Sequence, residues 1–281
     1  MRFRPLHSGF GAEVLDCDLM TVAGSGDIEA LQVAFDEYQL LLFRNRQRIP
    51  PERHVEIASW FGPSIDETSG QPWSAMDNEN AAGSIRLPFH SDLTYTDTPI
   101  KVISLHAIEL PPGGASTSYV SGVYAWATLL PERQELLSGM TLRHSYHSAI
   151  SNDMPEFEAD HPVRLLHPRT GQPVLFVTEL HADRIYDLEQ EDSDRILAEL
   201  MAHLYAPEQL YIHRWQVDDF VIWDNLAVQH ARTAEARIAN GRRLLQRVAL
   251  NEVTYDVLIE RAWDRQRRRE LEGTSTTRGR A

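Results

Sequence analysis

The chain has 281 residues, 42% hydrophobic and 24% charged, an ordinary globular composition with enough apolar side chains for a sizeable core. Its formal charge, 27 minus 41 or −14, works against polyanionic partners, so neither nucleic acid nor an anionic membrane is expected. Cys17 is the only cysteine, which excludes an intrachain disulfide and cysteine-built zinc or iron–sulfur cages; a metal would need His and carboxylate ligands.

Met1 to His7 carries positive charge with no apolar run behind it, and no apolar stretch approaches membrane-span length, so a soluble cytoplasmic protein is expected. Asp27 caps a predicted helix over about Ile28 to Gln39, with Leu31, Ala34, Phe35 and Tyr38 on one face, and Leu40 to Phe43 reads as a buried strand. A second helix opens at Pro51 and closes before Gly62. Ile65 to Arg86, rich in Ser, Gly, Asn and Asp, reads as a long loop containing Trp73 and Met76, a lid candidate. Strands follow at Lys101 to Leu110 and Thr117 to Ser121, then a helix around Val123 to Leu130. After an acidic, mobile Asn152 to Asp160, the pieces Val163 to Leu166 and Pro173 to Thr178 form a hairpin about Thr170-Gly171. The clearest helix of the second half runs from about Ser193 to Tyr205, with Leu197, Leu200, Met201 and Leu204 at i, i+3, i+4 and i+7. Strands return at Leu210 to Trp215, Phe220 to Trp223 and Arg242 to Leu250. Residues 1–263 thus form one mainly β domain with peripheral α-helices, and 264–281 a polar, Arg-rich, disordered tail.

Motif absences narrow the chemistry. There is no G-x-x-x-x-G-K-[ST], G-x-S-x-G or H-E-x-x-H, and Lys101 is the only lysine, the single candidate for Schiff-base chemistry. What remains is a set of His and Asp. With twelve histidines, roughly one H-x-D match is expected by chance, and the chain has two, His90-Ser91-Asp92 and His181-Ala182-Asp183. In a strand either pair would point both side chains to one side. The first pair precedes several strands and lies 230 minus 90, or 140, residues before His230, enough chain to wind most of a barrel and return a third ligand; the second has only two clear strands in between. His90, Asp92 and His230 are therefore the candidate metal ligands, since two imidazoles and a carboxylate hold one face of iron and leave positions open. His181 is a candidate pocket residue only. Along Arg242 to Leu250, Arg243 and Arg247 share a face with Leu245 and Ala249; if that face is interior, both guanidinium groups require anionic partners, and the alternative is the solvent face of an edge strand.

Taken together, the ordered motifs closely resemble the taurine dioxygenase group of iron(II)- and 2-oxoglutarate-dependent oxygenases, which includes phenoxyacetate-herbicide dioxygenases. They are Gly11-Ala12-Glu13-Val14 with Asp18-Leu19, Phe61-Gly62, His90-Ser91-Asp92, Pro111-Pro112-Gly113-Gly114 with Thr117, His161-Pro162-Val163, His167-Pro168, Leu175-Phe176-Val177, Trp223-Asp224-Asn225 to His230, and Arg243 with Arg247. The resemblance implies a double-stranded β-helix, a jelly-roll or cupin-like core. It also implies Fe(II) on His90, Asp92 and His230 as the catalytic centre, with 2-oxoglutarate and O2 as cosubstrates. Thr117 and Arg243 would hold the distal carboxylate of 2-oxoglutarate, a planar guanidinium suiting bidentate carboxylate binding. Arg247 would meet an acidic group of the substrate.

The implied reaction is hydroxylation of a C–H bond, or cleavage following it, with release of succinate and CO2. Asp92 disfavours halogenation, because related halogenases leave its place to halide. Phe89 stands where the family often has Trp, Arg86 where it often has Asn, and the region of Ala149 and Ile150 is apolar where taurine enzymes place a hydroxyl-bearing residue and an aromatic. A small organic anion other than taurine is the expected substrate, contacting Arg247 and Arg86, with Phe89, Ile150 and Trp73 as an apolar wall. A homo-oligomer is compatible with this reading. The alternatives are a biosynthetic tailoring oxygenase catalysing desaturation or cyclisation, a catalytically inactive small-molecule-binding barrel, and a zinc-dependent hydrolase.

Overall fold

Side chains alternate across each strand, and that alternation sorts the apolar residues of this chain into three layers. A computed structural model of the protein describes residues 1–22, 24–44, 47–66, 70–79, 87–146, 155–232 and 241–278. Sixteen strands occur among them: β1 (Phe3–Pro5), β2 (Ala12–Val14), β3 (Leu40–Arg44), β4 (Ser74–Asp77), β5 (Leu87–His90), β6 (Val102–Glu109), β7 (Ser116–Ser121), β8 (Thr141–Tyr146), β9 (Phe157–Pro162), β10 (Arg164–Leu166), β11 (Pro173–Leu175), β12 (Ala182–Ile185), β13 (Tyr211–Arg214), β14 (Asp219–Asp224), β15 (Val228–Arg232) and β16 (Leu244–Leu250). The helices are α1 (Ser25–Tyr38), α2 (Pro51–Ser59), α3 (Gly122–Thr128), α4 (Pro131–Leu137), α5 (Gln190–Leu204) and α6 (Tyr255–Arg278).

Seven strands form one sheet in the order β1-β2-β3-β14-β6-β16-β4, and four form another in the order β13-β7-β15-β5. A three-stranded sheet, β12-β8-β9, and the β10-β11 hairpin complete the set. The two main sheets face each other as the jelly roll, and the core between them takes Leu40, Leu42, Leu105, Trp223, Leu245 and Ala249 from the large sheet and Tyr119 and Val228 from the small one. The intervening residues Leu41, Phe43, Phe220, Ile222, Val248 and Leu250 point out of the large sheet onto Leu31, Ala34 and Phe35 of α1 and Ile57 and Ala58 of α2. Behind the small sheet, Val120 and Ala231 pack on Ala125 and Trp126 of α3 and Ile196, Leu197 and Leu200 of α5. Gly122 is needed at the entrance to α3, since a Cβ there would lie 2.7 Å from Val174 Cγ1 and 2.8 Å from the Leu175 carbonyl oxygen.

Several expectations need correction. α1 starts three residues earlier than the apolar stripe indicated, with Gly24 at its N-cap and Asp27 inside the first turn. The loop expected between Ile65 and Arg86 contains β4, whose pairing with β16 (Leu245 opposite Met76) removes β16 from the sheet edge. The acidic stretch ends in β9, which pairs with β8 along its whole length. The segment from Asp264 is helical to Arg278 within α6: Leu258 and Ala262 bury its first turns, and the Arg- and Glu-rich stretch from Arg265 to Glu272 is made of good helix formers.

Candidate metal centre and cosubstrate cavity

β5 and β15 are antiparallel neighbours in a register that sets His230 directly opposite His90, with ring centroids 4.3 Å apart. Asp92 follows β5 in a tight turn and turns Oδ1 back to within 3.2 Å of His90 Nε2 and 3.8 Å of His230 Nε2. One ligand atom from each of the three lies within 4.8 Å of the others, and no other such group occurs among the described residues. His90 Nδ1 is 2.8 Å from the Pro88 carbonyl, so that nitrogen carries the proton and Nε2 keeps its lone pair for a metal. Burial, with His90 adding, pulls His230 down to about 3, which keeps it neutral near pH 7 and so able to offer a lone pair to a metal. Burial alone would raise the Asp92 carboxyl; the Arg247 charge beside it outweighs this and holds Asp92 well below the usual carboxylate range. Arg247 Nη2 donates to Asp92 Oδ2 at 2.6 Å, which leaves Oδ1 turned to the histidines.

The turn carrying Asp92 is fixed by a residue the sequence reading quoted only as part of a motif. Asn225 Oδ1 accepts from Asp92 N–H at 3.0 Å, and its Nδ2 donates to the carbonyls of Asp92 at 3.2 Å and Ile100 at 2.7 Å. Asp224 in turn accepts from the Leu226 and Ala227 N–H groups and pairs with Arg169 at 2.6 Å and His167 at 2.9 Å. The Trp223-Asp224-Asn225 block is therefore a clamp between β14, the metal turn and the hairpin.

One cavity joins the triad to Met76, Leu87, Thr117, Trp223, Arg232, Arg243, Leu245 and Arg247. Thr117 Oγ1 accepts from Trp215 Nε1 at 2.9 Å, so the hydroxyl hydrogen can be donated to a ligand. Arg243 is held by its backbone, its N–H donating to Asn78 Oδ1 at 2.6 Å, while its guanidinium is buried and its Nε has no partner among the described residues. Burial, with the Arg232 charge adding, brings Arg243 down to about 10. A buried guanidinium with no carboxylate beside it among the described residues fits an anionic ligand such as the distal end of 2-oxoglutarate, and the His, Asp and His atoms fit Fe(II).

The other expected substrate contacts are distributed differently. Phe89 alternates with His90 and so faces out of the cavity, stacked on Tyr205 at 4.5 Å in the layer under α5. Trp73 packs with the core on the outer face of the large sheet. Arg86, Ala149 and Ile150 lie outside the described residues. The aromatic rings that do reach the triad are Trp223, 5.0 Å from His230, and His181, 6.0 Å from His90. His181 is held by a 2.9 Å hydrogen bond to Thr94 and stands edge-on to Tyr95, whose ring stacks on Tyr146; Asp183 of the second H-x-D is exposed, so that pair is split. Arg232 escaped the sequence reading, although its place two residues after His230 on a strand is a signal that it shares the interior face.

Residues 2–249 match the model of the family described as taurine catabolism dioxygenase TauD, TfdA. The chain is 27% identical to the alpha-ketoglutarate-dependent 2,4-dichlorophenoxyacetate dioxygenase of Cupriavidus pinatubonensis, across 80% of this chain and 90% of that protein. It is 30% identical to pentalenolactone F synthase of Streptomyces arenae, across 74% and 81%. A crystal structure of a taurine dioxygenase from Burkholderia xenovorans superposes with a TM-score of 0.79 at 23% identity, over 89% and 90% of the two chains, a likeness of fold. With a matched segment that spans the jelly roll from β1 through most of β16, the chain belongs to the TauD/TfdA family of Fe(II)- and 2-oxoglutarate-dependent dioxygenases.

Proposed function

We propose that this protein hydroxylates a C–H bond of a small organic anion, with His90, Asp92 and His230 as the iron ligands. The supporting observation is that the triad and Arg243 with Thr117 open into one cavity, one end suited to a metal and the other to a carboxylate. Bound iron(II) and 2-oxoglutarate supply O2 activation coupled to decarboxylation: one oxygen atom enters succinate, CO2 leaves, and the other oxygen converts R–H to R–OH. Where that carbon bears a heteroatom leaving group, the alcohol collapses and the bond is cleaved.

The chain's own residues set the geometry. His90 turns Nε2 to the site while its Nδ1 is bonded to the Pro88 carbonyl, His230 is held neutral by burial, and Asp92 stays ionised beside Arg247. Arg243 and Thr117 receive the distal carboxylate of the cosubstrate, which aims its 2-oxo acid end at the triad. Arg247, fixed by its bond to Asp92, places positive charge beside the triad for the anionic group of the substrate. The relative acting on 2,4-dichlorophenoxyacetate is named for such an anion. Tyr95, Tyr146 and His181, two stacked rings with a third edge-on to them, form an aromatic cluster beside His90 against which its body can pack.

Anaerobic addition of Fe(II) and 2-oxoglutarate is expected to give a weak visible charge-transfer band that His90→Ala abolishes. Panels of carboxylates, sulfonates and sulfate esters are then screened for substrate-stimulated succinate. Absence of both the band and succinate overturns the proposal. Product mass separates hydroxylation, which adds oxygen, from the desaturation or cyclisation of a tailoring oxygenase, a reading favoured only by the likeness to pentalenolactone F synthase.

A further inference from the structure

β4 and β16 each have two faces, and the cavity beside the metal ligands uses one of them. Met76, Arg243, Leu245 and Arg247 line that cavity, so Ala75, Leu244 and Gln246 point out of the large sheet on its other side. There they line a second cavity of about 430 Å³, with Ile108 of β6, Trp73 and the Arg48-Ile49-Pro50-Pro51 segment that leads into α2. Its volume lies in the range of roughly 300–1,000 Å³ usual for small-molecule sites. The two cavities stand back to back across β16 and share no lining residue.

The walls of the second cavity are aliphatic and aromatic apart from two side chains. Arg48 is already engaged: its guanidinium donates to the Ile108 carbonyl and lies 3.4 Å from Asp218 Oδ1. Gln246 is not. Only 6% exposed, it stands between Ala75 of β4 and His106 of β6 in the ladder, and its Nε2 has no hydrogen-bond partner among the described residues. The neighbouring His106 ring, brought down to about 4 by burial and so uncharged near pH 7, likewise has no hydrogen-bond partner for either nitrogen among the described residues. Leaving a buried amide unmatched is unfavourable, and a ligand that supplies the missing partner reverses part of that penalty. No carboxylate lines this cavity among the described residues and its one cation is occupied, so an ion of either sign would be buried there without a counter-charge. A carboxamide is the neutral group that answers both the donor and the acceptor of a glutamine amide, and a planar ring suits Trp73 and the two prolines.

We propose that the cavity behind β4 and β16 is a second ligand site, taking a neutral aromatic carboxamide, with Gln246 recognising the amide and Trp73 walling the ring. It is separate from the positions beside the triad and does not depend on the reaction assigned to them.

The test is proton–nitrogen correlation NMR on the full chain, read at the indole N–H signals of its six tryptophans. Benzamide is the probe, ethylbenzene the apolar control and benzoate the charged one, and Trp73→Phe identifies the Trp73 signal by its loss. Benzamide is expected to shift the Trp73 signal saturably, and to do so equally in the presence of 2-oxoglutarate. Benzoate should bind at least about tenfold more weakly, because its charge finds no partner. Gln246→Leu, close in volume but without the amide, should weaken benzamide by about 2- to 10-fold, the range for a net hydrogen bond, and leave ethylbenzene unchanged or tighter. A Trp73 signal that does not move up to the solubility limit of benzamide overturns the proposal. So does displacement of benzamide by 2-oxoglutarate, which would put the probe beside the triad, or benzoate binding as tightly as benzamide. An unchanged ratio of benzamide to ethylbenzene affinity in Gln246→Leu overturns the role of Gln246 and with it the carboxamide assignment. If Gln246→Leu does not fold, Gln246→Met is read in the same way.

Discussion

Asn225→Ala isolates what the clamp on the metal turn contributes. The side chain makes three hydrogen bonds, to Asp92 N–H and to the carbonyls of Asp92 and Ile100. The Asp92 carbonyl keeps a second donor, Ile100 N–H at 3.3 Å, so the deletion orphans two groups, Asp92 N–H and the Ile100 carbonyl. Asn225 and Ile100 are fully buried. At about 1–3 kcal/mol for each unsatisfied buried group, with part recovered as the turn relaxes or admits water, the expected loss of stability is about 2–4 kcal/mol. The turn then no longer holds Oδ1 of Asp92 between the two imidazoles, and metal affinity should fall by about 10- to 100-fold, as for other residues that orient a ligand. Urea unfolding gives the first quantity and calorimetry with Mn(II) the second. A variant within about 0.5 kcal/mol of wild type, the range of a neutral surface change, with metal affinity altered less than twofold, would refute the reasoning.

Gly122→Ala forces a Cβ against Val174 and the Leu175 carbonyl, so it should cost about 1–3 kcal/mol, read as a lower urea midpoint; an unchanged midpoint would mean that α3 shifts freely. Trp73→Ala should leave 2-oxoglutarate affinity within about twofold, because Trp73 sits behind the large sheet; a tenfold loss would place it at the cavity after all. Phe89→Ala removes the ring stacked on Tyr205 and should cost about 3–5 kcal/mol, measured by urea unfolding; a stability loss under 1 kcal/mol would contradict its place in the core. Burial holds His54 and His144 well below 6.5, so they stay neutral in the fold while the unfolded chain takes up protons there. Below pH 6.5 the unfolded state binds more protons, and stability should fall with decreasing pH by up to about 1.4 kcal/mol per unit for each histidine. His54→Gln should flatten that slope between pH 6.5 and 5, and an identical slope would exclude His54 as a source.

Much of the architecture is legible in the chain because strands buried on both faces read as short unbroken apolar runs. Leu40 to Phe43, Lys101 to Leu110 and Phe220 to Trp223 announce strands, and the i, i+3, i+4 stripe of Leu197, Leu200, Met201 and Leu204 announces α5. Local pattern failed where the structure is set by partners. β4 is a strand because β16 offers it an edge, and β9 because β8 does, although neither segment is apolar enough to stand out. α6 extends beyond its apolar anchors since Arg, Gln and Glu favour a helix without apolar burial, and Arg269 and Gln266 reach back to Glu158 and Glu156 of the β9 region.

For the site, the sequence by itself determined the residue types and their parity: a His and an Asp two apart, a distant His, and two arginines four apart on one strand face. Parity says which side chains travel together and not which way they face, because a shift of one residue exchanges the two faces of a strand. Only the tertiary structure decided that His90 points in and Phe89 out, and that Trp73 lies behind the large sheet. The register of β15 between β5 and β7 did the rest, bringing His230 opposite His90 and Arg232 toward Thr117. Those pairings join residues more than a hundred positions apart, and their energies come from burial and backbone hydrogen bonds shared between strands, which no local stretch of sequence contains.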